Sequence, residues 1–277
     1  MSEMTLTAIL FPGQGSQSSD MRETVERVRP DLLTQVSEIV GEDPFPRVEE
    51  GTMFAQPAIF CASLAGWTQL GRPLGHFMAG HSLGELAALV AAGCLGEREG
   101  LELVALRGHL MQQAGEGGML ALLGAGAAEQ AAELAAAHDL AVANDNCPTQ
   151  IVLSGAREKL PGAAAAAKEL GLRAMDVPVT GAFHSPMMEP AVPEFAAALD
   201  RVDFTEGAVP VMSAVTAEPF DDFRRRLAEG LTRPVRWRET LLELHRRGVE
   251  RFVEVGPGRV LTGLAKRTLA DVELVHA

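Results

Sequence analysis

Residues 77–93 read FMAGHSLGELAALVAAG, and the succession of residue types along them decides the fold class. A short apolar run, Phe77–Ala79, has the character of a buried strand. The pair His81-Ser82 between Gly80 and Gly84 predicts a sharp turn. The Ala/Leu-rich stretch over 83–92 predicts a helix that stops at Gly93. Strand, tight turn and helix in immediate succession mark an α/β chain with a largely parallel sheet.

The same alternation extends outward on both sides. Upstream, Thr7 to Phe11 reads as a buried strand running into a Pro-Gly-Gln-Gly loop, followed by a polar helical stretch over 20–40 and a helix over 56–70. Downstream, a helix is expected over 97–114. Beyond residue 183 come a helix at 187–200, a strand at 209–213, a helix at 236–247, the strand RFVEVG (251–256) and a closing helix at 258–269. Between them, residues 117–183 have a different texture. MLALLG, AAEQAAELAAAH, LAVAND, QIVLSG, KLPGAAAAAKELG and LRAMDVPV spell βαββαβ, the ferredoxin-like order. The expected organisation is a discontinuous large domain, 1–116 with 184–277, carrying a ferredoxin-like subdomain at 117–183.

Bulk properties narrow the function classes. A net charge of −13 argues against nucleic acid as the main partner. No apolar run approaches the roughly 18–20 residues of a membrane span. The start, MSEMTLTAILFPGQ, lacks the basic and apolar regions of a secretory signal. Cys61, Cys94 and Cys147 are odd in number and widely spaced, so neither a disulfide framework nor a metal site is expected. A cytoplasmic protein with reduced thiols is the expectation. One stretch runs against the overall charge: Arg224 to Arg251 holds nine arginines against four glutamates. It reads either as a solvated helix face or as a docking surface for an acidic partner.

Within the turn, Gly80-His81-Ser82-Leu83-Gly84 fits G-x-S-x-G. A serine on a tight strand-to-helix turn has its hydroxyl pushed outward, and the N–H of the next residue is free to hold an oxyanion. The alternative is a serine that only caps the helix. A nucleophilic serine needs a base. Of seven histidines, His184 in GAFHSP lies in an irregular segment just before a helix, whereas the others lie in helical patterns, in connecting segments without a catalytic flank, beside the serine or at the chain end. On the 97–114 helix, Arg107 has Leu103, Val104, Leu110 and Met111 as its same-face neighbours. A charge on an apolar face must meet an anion. That anion is either a core acid such as Glu85 or the carboxylate of a substrate.

FPGQGSQ (11–17), GHSLGE (80–85), RGHLMQ (107–112), GAFHSPMM (181–188) and EVGPGRVLTGL (254–264) occur in this order. Together they resemble the malonyl-CoA:acyl-carrier-protein transacylases and the acyltransferase domains of polyketide synthases, over nearly the whole chain. The resemblance implies an α/β-hydrolase-like large domain with a ferredoxin-like insert. It implies Ser82 as nucleophile, His184 as its base, the Gln14 and Leu83 amides as oxyanion hole, and Arg107 as the clamp for the malonyl carboxylate. It also implies that the backbone carbonyl of Gly230, just before LTRPVRW, orients the histidine. Asn144, Asn146 and Phe183 are placed by it along the acyl pocket, where the bulk of Phe183 disfavours an α-methyl branch. Malonyl-CoA is then a substrate, the phosphopantetheine thiol of an acyl carrier protein the acceptor, and no cofactor or metal is resident. GAFHS and the short length look closer to discrete polyketide-type enzymes, although PMM after Ser185 departs from many of them. A thioester hydrolase, a malonyl-transferring subunit of a malonate decarboxylase and a silent carrier-docking module are the alternatives.

Overall fold

In the computed structural model, which describes residues 5–276, the chain builds two sheets. The large-sheet elements before the insertion are β1 (Leu6–Phe11), α1 (Met21–Val28), α2 (Pro30–Val40), α3 (Thr52–Gln69), β2 (Phe77–Gly80), α4 (Gly84–Ala92) and α5 (Glu97–Gln113). The inserted stretch gives β3 (Gly118–Leu123), α6 (Ala127–Ala137), β4 (Ala141–Cys147), β5 (Gln150–Gly155), α7 (Leu160–Glu169) and β6 (Arg173–Val177). The chain then returns through α8 (Val192–Leu199), β7 (Val211–Met212), α9 (Phe223–Glu229), α10 (Trp237–Arg246), β8 (Val249–Glu254), α11 (Val260–Thr268) and β9 (Glu273–His276).

The first sheet has the order β7-β2-β1-β8-β9, and every pairing in it is parallel. Strands buried on both faces need apolar side chains in both directions. Ile9, Phe11 and Met78 accordingly enter one core, while Ala8, Leu10 and Ala79 enter the core on the opposite face. The second sheet, β4-β5-β3-β6, is antiparallel throughout, in the ferredoxin-like order. Its Leu120, Leu122, Ile151 and Leu153 pack under α6 and α7, whereas Met119 and Val152 join the main core. This small sheet therefore presents an apolar underside to the large unit.

Register places the site. Phe11 pairs with Gly80, so β1 and β2 end together, and the His81 N–H donates to the Phe11 carbonyl at 2.9 Å. The 12–17 loop and the 81–83 turn thus lie side by side at the carboxyl edge of a parallel sheet, where open α/β sheets bind their ligands. The small sheet is tied across that edge. Arg238 donates to both Asp145 oxygens at 2.8 and 2.7 Å, and Val235 exchanges backbone bonds with Ala143 and Asp145.

The structure differs from the sequence reading in details with local causes. The stretch over 20–40 is two helices, because Pro30 occupies the first position of α2 and Arg29 before it is driven out of helical geometry (φ −141°, ψ 64°). The segment at 187–200 starts as a 3-10 turn, Pro186–Ala191, before α8. Helix α9 and edge strand β9 were not expected. The first is short and arginine-rich, and the second is partly exposed.

Candidate active site

The turn after β2 is held by close approach rather than by side chains. A Cβ on Gly80 would lie 2.0 Å from the Gly84 carbonyl carbon, and one on Gly84 would lie 2.2 Å from the Phe11 carbonyl oxygen. Only glycines at both positions let the helix start this close to the strand. Ser82 between them adopts φ +54°, a left-handed conformation that non-glycine residues hold only when their surroundings enforce it. The result is a side chain projecting from the turn.

His184 meets it from 102 residues along the chain. Its Nε2 lies 2.8 Å from Ser82 Oγ, and its Nδ1 lies 2.8 Å from the Gly230 carbonyl oxygen. A carbonyl can only accept, so Nδ1 carries the hydrogen and the Nε2 lone pair faces the serine hydroxyl. His184 also has positive φ (+58°), and the next residue braces the loop, with the Ser185 hydroxyl donating to the Ala182 carbonyl at 2.6 Å. Burial, joined by the nearby Arg107 charge, pushes the His184 imidazole down to about 3. The ring is therefore neutral at physiological pH and able to take a proton. Among the described residues neither the Gln14 nor the Leu83 N–H donates to another protein group, and both residues line the cavity beside Ser82.

Arg107 is 5% exposed, as its apolar helix face predicts. Of the two partners left open by the sequence, Glu85 does not contact it: among the described residues no carboxylate meets it. One terminal nitrogen donates to Gln56 Oε1 at 2.8 Å and the other to Ser82 Oγ at 3.1 Å. Desolvation lowers the guanidinium to about 10, against a smaller upward pull from Glu85, which acts on it without direct contact.

A cavity of about 350 Å³ opens over the serine. Gln14, Ser82, Leu83, Asn144, Asn146, Phe183 and His184 line it, while the Met119, Ala121, Val152 and Val177 side of the small sheet forms its roof. Gly230 stands behind His184 rather than in the wall. Asn146 also fixes the turn, since His81 Nε2 lies 2.8 Å from its Oδ1, and His81 packs edge-on against Trp237. His81 thus points away from the nucleophile. Among the described residues no cluster of side chains could hold a metal ion, and no helix is long and apolar enough to cross a membrane.

Residues 9–276 match the family described as acyl transferase domain. The chain belongs to the acyl transferase domain family. Among its relatives is the polyketide biosynthesis protein ThaF of Burkholderia thailandensis, 40% identical over 285 residues, which cover 96% of this chain but only 24% of that protein. The malonyl CoA-acyl carrier protein transacylase of Salmonella typhimurium is 37% identical over 95% of this chain and 93% of its own length. The crystal structure of FabD from Acinetobacter baumannii superposes with a TM-score of 0.91 at 34% identity, covering 98% of this chain and 94% of that one.

In this acyl transferase domain the arginines of 224–251 are mostly matched internally. Arg225 and Arg226 pair with Asp221, Arg236 with Glu239, Arg238 with Asp145, Arg246 and Arg247 with Glu243, and Arg251 with Glu273. Arg224 caps the carbonyls of Leu199 and Val202. Several of these acids lie outside the stretch in sequence, so the local count overstated the free charge. Of the nine, Arg233 alone has no side-chain partner among the described residues.

One residue of the site went unread in the sequence, and another was read only as one of two partners for Arg107. Gln56, in the run from Phe54 to Trp67 where only Ser63 is otherwise strongly polar, carries the same signal that singled out Arg107. Glu85 is the other. It is 4% exposed, accepts the Ala214 N–H at 2.8 Å, and burial pushes its carboxyl up to about 7. The folded state therefore keeps a proton that the unfolded chain gives up above about 4.5. Stability from this group is present below that value and lost as pH rises through about 7. Glu85→Gln keeps the acceptor for Ala214 and cannot ionise. Thermal melts of the two proteins should diverge in favour of the variant on going from pH ~5 to pH ~8, by on the order of 1–3 kcal/mol. A pH-independent difference would show that Glu85 does not titrate on this scale.

Proposed function

We propose that this chain transfers a malonyl group from coenzyme A to the phosphopantetheine thiol of an acyl carrier protein, in fatty-acid or polyketide biosynthesis. The names of full-length relatives such as the Salmonella typhimurium protein support the reaction class. The observation that carries the acyl group is Arg107: a buried guanidinium without a carboxylate partner, 3.1 Å from the same hydroxyl that His184 holds. Such a cation is satisfied by an anion brought in with the acyl chain.

The proposed cycle has two equivalent halves. His184 Nε2 takes the Ser82 proton as Oγ attacks the thioester carbonyl. The Gln14 and Leu83 N–H groups hold the oxyanion. The C–S bond then breaks, the thiol of coenzyme A leaves with the proton from Nε2, and malonyl stays esterified to Ser82. A carrier thiol gives its proton to His184, attacks the ester and restores the serine. When the malonyl carboxylate arrives, Arg107 turns its fork from Oγ to it, leaving the hydroxyl to His184. Phe183, 6% exposed in the cavity wall, limits branching next to the carbonyl, and Asn144 and Asn146 flank the chain. In this reading, 117–183 acts as a lid domain on the discontinuous unit 1–116 and 184–277, and the protein works in the cytoplasm. An acidic carrier meeting the 224–251 face would find Arg233 as its free cation.

Intact-protein mass after exposure to malonyl-CoA should show a malonyl adduct that Ser82→Ala lacks. Adding a phosphopantetheinylated carrier should move the adduct to that protein faster than water removes it. Release chiefly to water would identify a hydrolase instead, and failure to form any adduct would leave a binding module.

A further inference from the structure

Gln56 is 2% exposed and lies near the start of α3. A buried amide needs partners for its oxygen and its N–H groups. Gln56 Oε1 accepts from Arg107 at 2.8 Å, and Nε2 donates to Thr52 Oγ1 at 2.9 Å with Met111 Sδ at 3.4 Å. The Thr52 hydroxyl passes its own hydrogen to Gln14 Oε1 at 2.8 Å. The directions are consistent along the whole chain Arg107–Gln56–Thr52–Gln14. It joins the arginine beside the nucleophile to Gln14, whose loop lines the cavity over Ser82.

The seam between α3 and α5 is rigid at this level. A Cβ on Gly108 would lie 2.8 Å from the Thr52 carbonyl oxygen, so the helices touch backbone to backbone beside Arg107. Gln112 Oε1 accepts the Met53 N–H at 3.1 Å, supplying α3 with a cap from α5. Gln56 therefore cannot slide relative to Arg107. With one terminal nitrogen of the fork held by Gln56, the other is aimed at Ser82.

We propose that Gln56 is the positioning residue of Arg107: through a buried amide it sets the rotation of the guanidinium, so that one edge is committed to the protein and the other is free for an acyl carboxylate. The carboxylate half of this inference rests on the proposed reading of Arg107; the coupling of the two side chains does not.

Gln56→Met fills the same volume without hydrogen bonds. It is compared with Arg107→Ala and with the double variant, reading kcat and KM separately for malonyl-CoA and acetyl-CoA. Gln56→Met is expected to lose malonyl transfer about tenfold, chiefly through KM, and acetyl transfer at most about twofold; on the Arg107→Ala background it should do nothing further. Equal loss for both acyl groups, no loss with malonyl, or an undiminished loss on the Arg107→Ala background would each overturn it. If Arg107→Ala itself lowers both acyl groups alike, the carboxylate reading fails. The positioning inference is then decided by the cycle alone: a Gln56 effect that vanishes without Arg107 upholds it, and one that persists removes it.

Discussion

Ser82→Ala is expected to lower acyl transfer by a factor on the order of 10⁴ or more, with no acyl adduct in the intact-protein mass. Among the described residues the hydroxyl is the only group in the cavity wall that both projects from a strained turn and touches a neutral imidazole, at 2.8 Å. His184→Ala should fall nearly as far, because a serine hydroxyl without its base is a weak nucleophile at neutral pH. The decisive measurement is the double variant. If the two side chains act as one unit, Ser82→Ala with His184→Ala is no worse than Ser82→Ala alone, and multiplying losses would show that they act separately. Because His184 is held down to about 3, thiol release by the parent enzyme should stay flat as pH falls from neutrality through the ordinary histidine range. A loss of rate centred near pH ~6.5 would mean that the base is hydrated and unperturbed.

Arg107→Ala is expected to cut malonyl transfer by about 10²-fold while acetyl transfer is kept or rises. A charge-assisted bond to a carboxylate is lost, and the substrate carboxylate is left buried without a partner. Acetyl has no carboxylate and does not register the change. Arg107→Lys should restore only part of the malonyl rate, since an ammonium cannot give one edge to Gln56 and the other to a carboxylate in a single plane. Melting temperature separates this from a structural role. Because burial already disfavours this cation, lowering it to about 10, its removal should cost the fold no more than about 1–3 kcal/mol, the penalty of leaving the Gln56 oxygen unpaired. Equal loss of malonyl and acetyl transfer together with a larger loss of stability would make Arg107 a structural residue.

Much of this site was legible before any coordinates because its determinants are local. Gly80 and Gly84 announce a turn too tight for side chains, and Arg107 announces an anion by standing among Leu103, Val104, Leu110 and Met111. The βαββαβ order of 117–183 is written in short alternating runs. What escaped was set by contacts distant in sequence. Glu85 was one of two anions left open for Arg107, yet the Ala214 amide takes its carboxylate and Gln56 takes the arginine. The basic stretch over 224–251 looked free only because Asp145, Asp221 and Glu273 lie outside it. Strand β9 is an edge strand with half-buried side chains, so its pattern carries little signal.

The sequence by itself determined that this is an α/β chain with a serine on a strand-to-helix turn and a charge on an apolar helix face. Periodicity, glycine spacing and burial act within a few residues of one another. Tertiary structure alone decided which groups meet. Ser82 and His184 stand 102 positions apart, and the 2.8 Å between them exists because β1 and β2 end in register and the Gly230 carbonyl holds the far side of the ring. Spacing along a chain cannot encode such a distance. It follows from how two sheets and the helix seam between α3 and α5 pack, and that packing gives Arg107 an amide where the sequence offered a carboxylate.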